Sequence, residues 1–185
     1  LLGGPAKASS LVIFAHGTGS SRLSERNRQV ASALNRAGIA TLLFDLLQPA
    51  EERAAGRAKV FDIPFLAARL TDAVIWSGGT VVGGLPVGLF GASTGAAAAL
   101  TAAAQLGNAI GAVVSRGGRP DLAGAALEKV RAPTLLIVGG DDHEVLELNR
   151  RAAHRHAGLC VVEIIPGASH LFPEPGAMEK VTVLA

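Results

Sequence analysis

The sequence predicts an α/β fold in which helices cover both faces of a doubly wound, mostly parallel sheet. Two observations predict this fold. Short apolar runs, rich in leucine and β-branched residues, recur along the chain, and longer segments with helical periodicity separate them. Regular alternation of these two patterns is typical of the α/β class.

Six apolar runs predict the strands of this sheet. Each run is almost continuously apolar, as a strand covered on both faces must be. The six runs are 10–16, 39–45, 86–92, 110–116, 133–140 and 158–165. We therefore expect about six or more strands, most of them parallel, and we expect Cys160 to be a buried strand residue.

Five helices are predicted between and after these strands. The first, 24–38, has a Ser24 cap, apolar side chains at helical spacing and a glycine at its end. The second, 62–79, has Asp62 as its cap and Pro64 in its first turn. The other three are predicted at 94–106, 145–156 and 174–184.

Composition favours one globular domain over residues 1–185. A chain of 185 residues with 49% hydrophobic content is long enough to bury one core. The net charge of +2, with scattered basic residues and 4% aromatic residues, argues against nucleic-acid binding. No apolar window reaches the roughly 18 residues of a membrane span, and the N-terminus lacks a targeting pattern, so we expect no membrane partner and a cytoplasmic location.

The loops after the predicted strands carry the candidate reactive groups. In a doubly wound sheet, loops that leave the carboxyl ends of strands converge on one crevice. Here they hold a serine, two adjacent aspartates and a histidine, in the chain order Ser93, Asp141 or Asp142, His170. A serine hydrolase on this architecture has the same order.

Ser93 lies in the segment GLFGASTGAAAAL, which contains the pattern G-x-S-x-G. The small residues Gly91 and Gly95 allow a strand to turn sharply into a helix, which leaves the serine exposed. A serine that only caps the helix would explain the hydroxyl but not both glycines. The pattern therefore predicts Ser93 as a nucleophile.

His170 lies in a loop of small residues, where its ring is free to act as a general base. The alternative is an exposed loop histidine. Asp141 and Asp142 both follow the preceding strand, but only one of them can orient the base, and the other is available to cap the next helix. The neighbouring His143 is expected to be a surface residue.

Two backbone N–H groups must face the oxyanion of such a hydrolase. One is predicted at Thr94, directly after the nucleophile. The other is predicted at Thr18 in the segment HGTG, where glycines permit a close backbone approach. His16 in this segment is expected to hydrogen-bond its own loop. The candidates for a substrate pocket are Ser20, Ser21 and Arg22, with a solvated loop as the alternative.

Four segments together resemble a known family. FAHGTGSS, GLFGASTGAAAAL, LLIVGGDDHEV and PGASHLFPEPGAMEKV are similar to motifs of small serine α/β-hydrolases related to dienelactone hydrolase, including hydrolases fused to phosphoribosyltransferases. The resemblance covers nearly the whole chain, and the chain has no long insertion that would form a cap domain. The roles that it implies are Ser93 as nucleophile, an aspartate of GGDD as acid, His170 as base, and Thr18 and Thr94 as oxyanion-hole donors.

The spacing G-x-x-D-x-x-V, common in this resemblance, selects between the two aspartates. Gly139, Asp142 and Val145 meet it, whereas Asp141 falls one residue early. We therefore predict Asp142 as the acid. Dienelactone hydrolases carry cysteine where this chain has Ser93, so the dienelactone substrate is not transferred.

These residues predict a serine esterase that forms an acyl-enzyme on Ser93 and prefers short acyl chains. Its expected partner is a small-molecule ester. The acids around His143 lack a metal-ligand spacing, and we expect neither a metal nor an organic cofactor. An acyltransferase with the same groups and a non-catalytic partner domain are the alternatives.

Overall fold

The computed structural model describes residues 1–48, 51 and 57–185, without the side chains of residues 57 and 58. Its strands are β1 (Leu2–Gly3), β2 (Leu11–Ala15), β3 (Ala40–Leu43), β4 (Val87–Ala92), β5 (Ile110–Arg116), β6 (Thr134–Gly139) and β7 (Cys160–Ile165). Its helices are α1 (Glu25–Arg36), α2 (Arg57–Val60), α3 (Ile63–Gly78), α4 (Thr94–Leu106), α5 (His143–Arg155) and α6 (Ala177–Leu184). Two 3₁₀ segments, Gly107–Ala109 and Pro120–Lys129, complete the described elements.

The strands form one sheet in the order β1-β3-β2-β4-β5-β6-β7. All neighbouring pairs are parallel except β1 with β3, which is antiparallel. The six predicted strands and five predicted helices are confirmed, with ends that differ by a few residues. The short β1, the single-turn α2 and the three-residue 3₁₀ segment were not predicted, because elements of this length show no periodicity. The longer 3₁₀ segment, Pro120–Lys129, was not predicted either; Gly124, with φ 57°, interrupts it, so it lacks a continuous helical repeat.

Helices cover both faces of the sheet and bury a separate cluster on each side. On one face, α1 and α6 pack over a cluster that includes Phe14, Val30, Phe90, Ile137 and Met178. On the other face, α3 and α4 pack over a cluster that includes Leu11, Leu70, Leu89 and Leu100. The residues 96–99 of α4 are all alanine and fully buried, so the helix axis lies close to the sheet.

The prediction that Cys160 is buried is wrong. Cys160 is half-buried, because β7 is an edge strand of the sheet and a neighbouring strand covers only one side of it. Val161 and Ile164 on the same strand are 41% and 39% exposed. An apolar run indicates a strand, but it does not tell whether that strand lies in the centre or at the edge.

The carboxyl ends of the parallel strands stay open in the described part of the chain, where no additional domain is inserted above them. This agrees with the predicted hydrolase core without a cap. The helices of the described residues include none that is both long and apolar enough to cross a membrane. The loops with the candidate reactive groups meet at these open carboxyl ends of the strands.

Candidate active site

Ser93 forms the sharp turn between β4, which ends at Ala92, and α4, which begins at Thr94. Its backbone has φ 50° and ψ −122°, a conformation that costs a non-glycine residue about 1–3 kcal/mol. Its N–H donates to the Arg116 carbonyl at 3.3 Å, and its carbonyl accepts from the Arg119 N–H at 3.0 Å. The Ser93 side chain does not cap α4. The loop after β5 thus fixes a strained turn, and the Ser93 hydroxyl has no hydrogen-bond partner among the described residues.

Gly91 and Gly95 are required by this turn. A Cβ atom at Gly91 would lie 2.4 Å from the Cα of Ala96, and one at Gly95 would lie 2.2 Å from the carbonyl oxygen of Ala15. Both contacts are with backbone atoms, which cannot move aside as the end of a side chain can. The predicted close packing of α4 against the strands therefore depends on the absence of both side chains.

Asp142 and His170 form a direct hydrogen bond of 2.6 Å between Oδ2 and Nδ1. A carboxylate only accepts, so Nδ1 carries the proton, and in the neutral imidazole Nε2 is then the nitrogen with the lone pair of a base. No partner of Nε2 is found among the described residues. Asp141 is exposed, and its N–H donates to the Ala168 carbonyl at 3.0 Å. The structure therefore brings His170 together with the predicted Asp142 and not with Asp141.

The loop after β5 also connects Ser93 with the loop of His170. A Cβ atom at Gly117 would lie 2.9 Å from the carbonyl oxygen of His170 and 3.8 Å from its Cε1, and one at Gly118 would lie 2.5 Å from the Cβ of Ala96. No hydrogen bond joins the Ser93 hydroxyl to His170 within the described residues. In ligand-free enzymes this bond is often long and tightens only when substrate binds.

Sequence reasoning gave no role to these two glycines. The signal was the pair Gly117–Gly118 directly after a predicted strand, in the segment SRGGRP. Gly117 has φ 51°, which favours glycine; a side chain there would collide with the histidine loop, and a side chain at Gly118 would collide with Ala96 of α4.

The two predicted oxyanion donors differ in their present partners. The Thr18 N–H donates to the Thr94 hydroxyl at 3.0 Å. The Thr94 N–H, in the first turn of α4, has no acceptor in the described part of the chain. The Thr94 amide is therefore open to a ligand, whereas the Thr18 amide is occupied.

His16 hydrogen-bonds its own loop, as expected. Its Nε2 accepts from the Leu46 N–H at 3.0 Å, so its Nδ1 carries the proton and donates to the Gly17 carbonyl at 3.0 Å. The side chain is buried, and both ring nitrogens are used. This geometry connects the loop after β2 with the loop after β3. Neither ring nitrogen of His16 is then free to act as a base.

A cavity of about 70 Å³ lies beside the loop after β2. A water molecule needs about 10–15 Å³ by this measure, so the cavity has room for about five waters or a short acyl chain. The residues that line it include Thr18, Ser20, Ser21, Leu46, Val60 and Thr94. Arg22 is not among them, because its side chain pairs with Asp45 and its N–H donates to Asp45 Oδ1 at 2.6 Å. Ser20 and Ser21 thus line the cavity, whereas Arg22 contacts Asp45, one of the lining residues.

Arg116 at the end of β5 is a buried guanidinium without a carboxylate partner in the described residues. It is 7% exposed, and its Nη2 donates to the Asn27 side-chain oxygen at 3.1 Å. Its Nε has no partner there. Burial and the neighbouring charge of Arg26 lower the pKa of Arg116 to about 10, so it remains charged at neutral pH. The side chain points towards α1 and α6, away from the Ser93 turn on α4.

Comparison with curated proteins finds relatives that are longer than this chain, and no protein-family model matches it. The chain is 59% identical over 182 residues to proteins of Mycobacterium tuberculosis strains CDC 1551 and H37Rv, both named provisionally as phosphoribosyl transferases. The match covers 98% of this chain and 41% of each relative. The chain thus spans about two fifths of their length.

Two solved structures are similar to the chain over nearly its full length. A dienelactone hydrolase from Anabaena variabilis is 52% identical with a TM-score of 0.96, and the match covers 99% of this chain and 86% of that one. An α/β serine hydrolase homologue from Coxiella burnetii is 18% identical with a TM-score of 0.79, and the match covers 100% and 88%. At this lower identity, the likeness concerns the fold alone.

Proposed function

Because this chain belongs to the dienelactone hydrolase family of α/β-hydrolases, we propose that it cleaves carboxylic esters through an acyl-enzyme on Ser93. One observation carries the proposal: Asp142 and His170 form a 2.6 Å hydrogen bond at the carboxyl ends of the strands, where the strained Ser93 turn also lies. A nucleophile, a base and an orienting acid are the groups that acyl transfer requires.

In the proposed reaction, the Ser93 oxygen attacks the ester carbonyl carbon while His170 Nε2 takes the serine proton. Asp142 accepts a hydrogen bond from the Nδ1–H group of His170, which fixes the tautomer and stabilises the imidazolium. Collapse of the tetrahedral intermediate breaks the bond to the alcohol, which leaves with the proton from His170. Water then loses a proton to His170 and attacks the acyl carbon. Collapse of the second tetrahedral intermediate breaks the acyl bond to Ser93, whose oxygen takes the proton from His170, and the acid is released.

The negative oxygen of each tetrahedral intermediate needs preorganised donors. We assign this role to the N–H groups of Thr94 and Thr18, two residues that line the cavity. The Thr94 N–H has no acceptor in the described residues, so it meets the oxyanion directly. The Thr18 N–H must share its hydrogen with the oxyanion or exchange its present acceptor for it.

The size of the cavity supports a short acyl chain, of roughly two to six carbons. The small residues Gly91, Ala92 and Gly95 around the turn add no large apolar side chain beside Ser93. A series of p-nitrophenyl esters from acetate to decanoate tests this size limit, with Ser93→Ala as the inactive control. We expect the highest kcat/KM for the short esters and background rates for Ser93→Ala. An optimum at long chains would contradict the proposed substrate size.

The phosphoribosyl transferase name of the mycobacterial relatives is not carried over to this chain. That name belongs to proteins of which this chain matches 41%. The groups gathered at the Ser93 turn support acyl transfer, and we limit the proposal to that reaction.

A further inference from the structure

The side chain of Thr94 has a role separate from that of its backbone. We propose that the Thr94 hydroxyl is a positioning group that holds the Thr18 N–H beside the Thr94 N–H before substrate binds. This inference rests on the proposed hydrolase function, because it concerns the donors of the oxyanion hole. It assigns a task to a side chain that is 4% exposed and lies next to the nucleophile.

Three contacts fix the direction of the hydrogen bonds around Thr94. The Thr18 N–H donates to Thr94 Oγ1 at 3.0 Å, the two threonine hydroxyls are 3.0 Å apart, and Thr18 Oγ1 lies 3.4 Å from the Val60 carbonyl oxygen. A carbonyl only accepts, so the Thr18 hydroxyl donates to Val60 and the Thr94 hydroxyl donates to Thr18. Each hydroxyl then donates once and accepts at least once, and the chain of bonds has one consistent direction.

The loop that carries Thr18 has little rigidity of its own. Glycines flank Thr18 on both sides, and Gly19 has φ 69°. Glycine loses more conformational freedom on ordering than any other residue. In the described residues, the Thr18 N–H has Thr94 Oγ1 as its acceptor and no other. Without this hydroxyl, the amide would have to be ordered again in each catalytic cycle.

The Thr18 N–H remains usable when the intermediate forms. A charged oxygen accepts a hydrogen bond about twice as strong as a neutral one. The oxyanion therefore attracts the N–H away from the neutral Thr94 hydroxyl, or shares it as a three-centre bond. Because the amide then acts on the transition state, loss of its positioning lowers kcat more than it changes KM.

The test compares Thr94→Val, which keeps the shape but lacks the hydroxyl, with Thr94→Ser, which keeps the hydroxyl. Thr101→Val is the matched control, because Thr101 lies on the same helix and its buried hydroxyl has no partner in the described residues. For each variant we would measure kcat and KM with p-nitrophenyl acetate, the affinity of a boronic acid that forms a tetrahedral adduct with serine, and the Tm.

We expect Thr94→Val to lower kcat and boronic acid affinity about tenfold, less than the 10²–10³ lost when an oxyanion donor is removed. KM should change less than about twofold, Thr94→Ser should restore most of the kcat and boronic acid affinity lost in Thr94→Val, and Thr101→Val should stay near wild type. Should Thr94→Val not fold, Thr94→Ala replaces it with the same expectation. Wild-type kcat and boronic acid affinity in a folded Thr94→Val variant would overturn the proposal.

Hydrogen exchange of the Thr18 amide tests the positioning separately from activity. We expect this amide to exchange at least about tenfold faster in Thr94→Val than in wild type or Thr101→Val, because its acceptor is lost. An unchanged exchange rate would overturn the inference even if the protein is an esterase. Faster exchange in a protein that hydrolyses no ester would support the positioning and refute the proposed function.

Discussion

The two sides of Ser93 are assembled in different ways. On one side, the Asp142 and His170 side chains from neighbouring loops already form a 2.6 Å hydrogen bond, and His170 Nε2 has no partner in the described part of the chain. On the other side, the Thr18 N–H is bonded to the Thr94 hydroxyl. In the proposed mechanism, the acid–base side therefore depends on side chains that are already hydrogen-bonded to each other. The proposed oxyanion side depends on a glycine-flanked backbone that must change its acceptor.

The largest loss of kcat is expected when the hydrogen bond between Asp142 and His170 is disturbed. Asp142→Asn should lower kcat by roughly 10²–10⁴, because an amide does not hold the imidazole tautomer or stabilise its charge. The Tm should change little. Steady-state kinetics and thermal unfolding would measure both. The matched control is Asp141→Asn, which should cost less than about tenfold, since Asp141 is exposed and the carboxylate hydrogen-bonded to His170 is that of Asp142.

The two aspartate variants also test the assignment of the acid. If Asp141→Asn is the damaging change and Asp142→Asn is not, the acid is misassigned although the hydrolase proposal survives. If neither variant loses activity, the proposed group of Ser93, Asp142 and His170 must be abandoned.

A smaller loss is expected when the oxyanion side is disturbed. A Cβ atom at Gly17 would lie 2.9 Å from the Cβ of Ser93 and 3.0 Å from the Ala92 carbonyl oxygen, so the loop with Thr18 must shift. We expect Gly17→Ala to lower kcat/KM about 10- to 100-fold. Gly78→Ala is the control, because an added Cβ there meets nothing within 4 Å. Equal kinetics for the two variants would refute the requirement for close packing at Gly17.

Cys160→Ala should leave both sides of the site intact. Cys160 lies on the edge strand β7, and burial raises the pKa of its thiol to about 11, so it carries no thiolate at neutral pH. We expect nearly unchanged kcat and a loss of on the order of 1 kcal/mol in the free energy of unfolding. A loss of more than about tenfold in kcat with the fold preserved would contradict the assignment of the nucleophile.

Arg116→Met should have the smallest effect. The backbone of Arg116 binds Ser93, but its guanidinium bonds to Asn27 on the opposite face of the sheet from α4. Replacing a buried charge without a carboxylate partner is often neutral or stabilising, so we expect the free energy of unfolding to stay within about 1 kcal/mol or to rise. Chemical denaturation would measure this change, and kcat should stay near wild type. A large loss of kcat would show that the guanidinium itself acts on the site.

Much of the fold was predictable because its signals are local. The apolar runs and the caps at Ser24 and Asp62 depend on short segments, and both caps accept hydrogen bonds from their helices. The order of strands in the sheet requires tertiary contacts, which explains why the edge position of Cys160 was missed. The residues of a strand do not show whether the strand has one neighbour in the sheet or two.

The pairing of Asp142 with His170 was predictable from the sequence, but the hydrogen bond of the Thr18 N–H was not. The chain order and the G-x-x-D-x-x-V spacing pointed to Asp142, which the structure pairs with His170. The occupation of the Thr18 N–H by Thr94 Oγ1 was not predictable, because it depends on how closely a loop approaches a helix 76 residues later in the chain. The role of Gly117 depends on the same kind of distant contact.

The central claim is that Ser93 is a nucleophile activated by His170 and Asp142. A fluorophosphonate probe, which reacts with activated serines, tests it most directly when the labelled residue is located by peptide mass spectrometry. We expect one probe per chain on Ser93, no labelling of Ser93→Ala, and much slower labelling of Asp142→Asn. A folded wild-type protein that stays unlabelled at Ser93, or that is labelled at another residue, would contradict the claim.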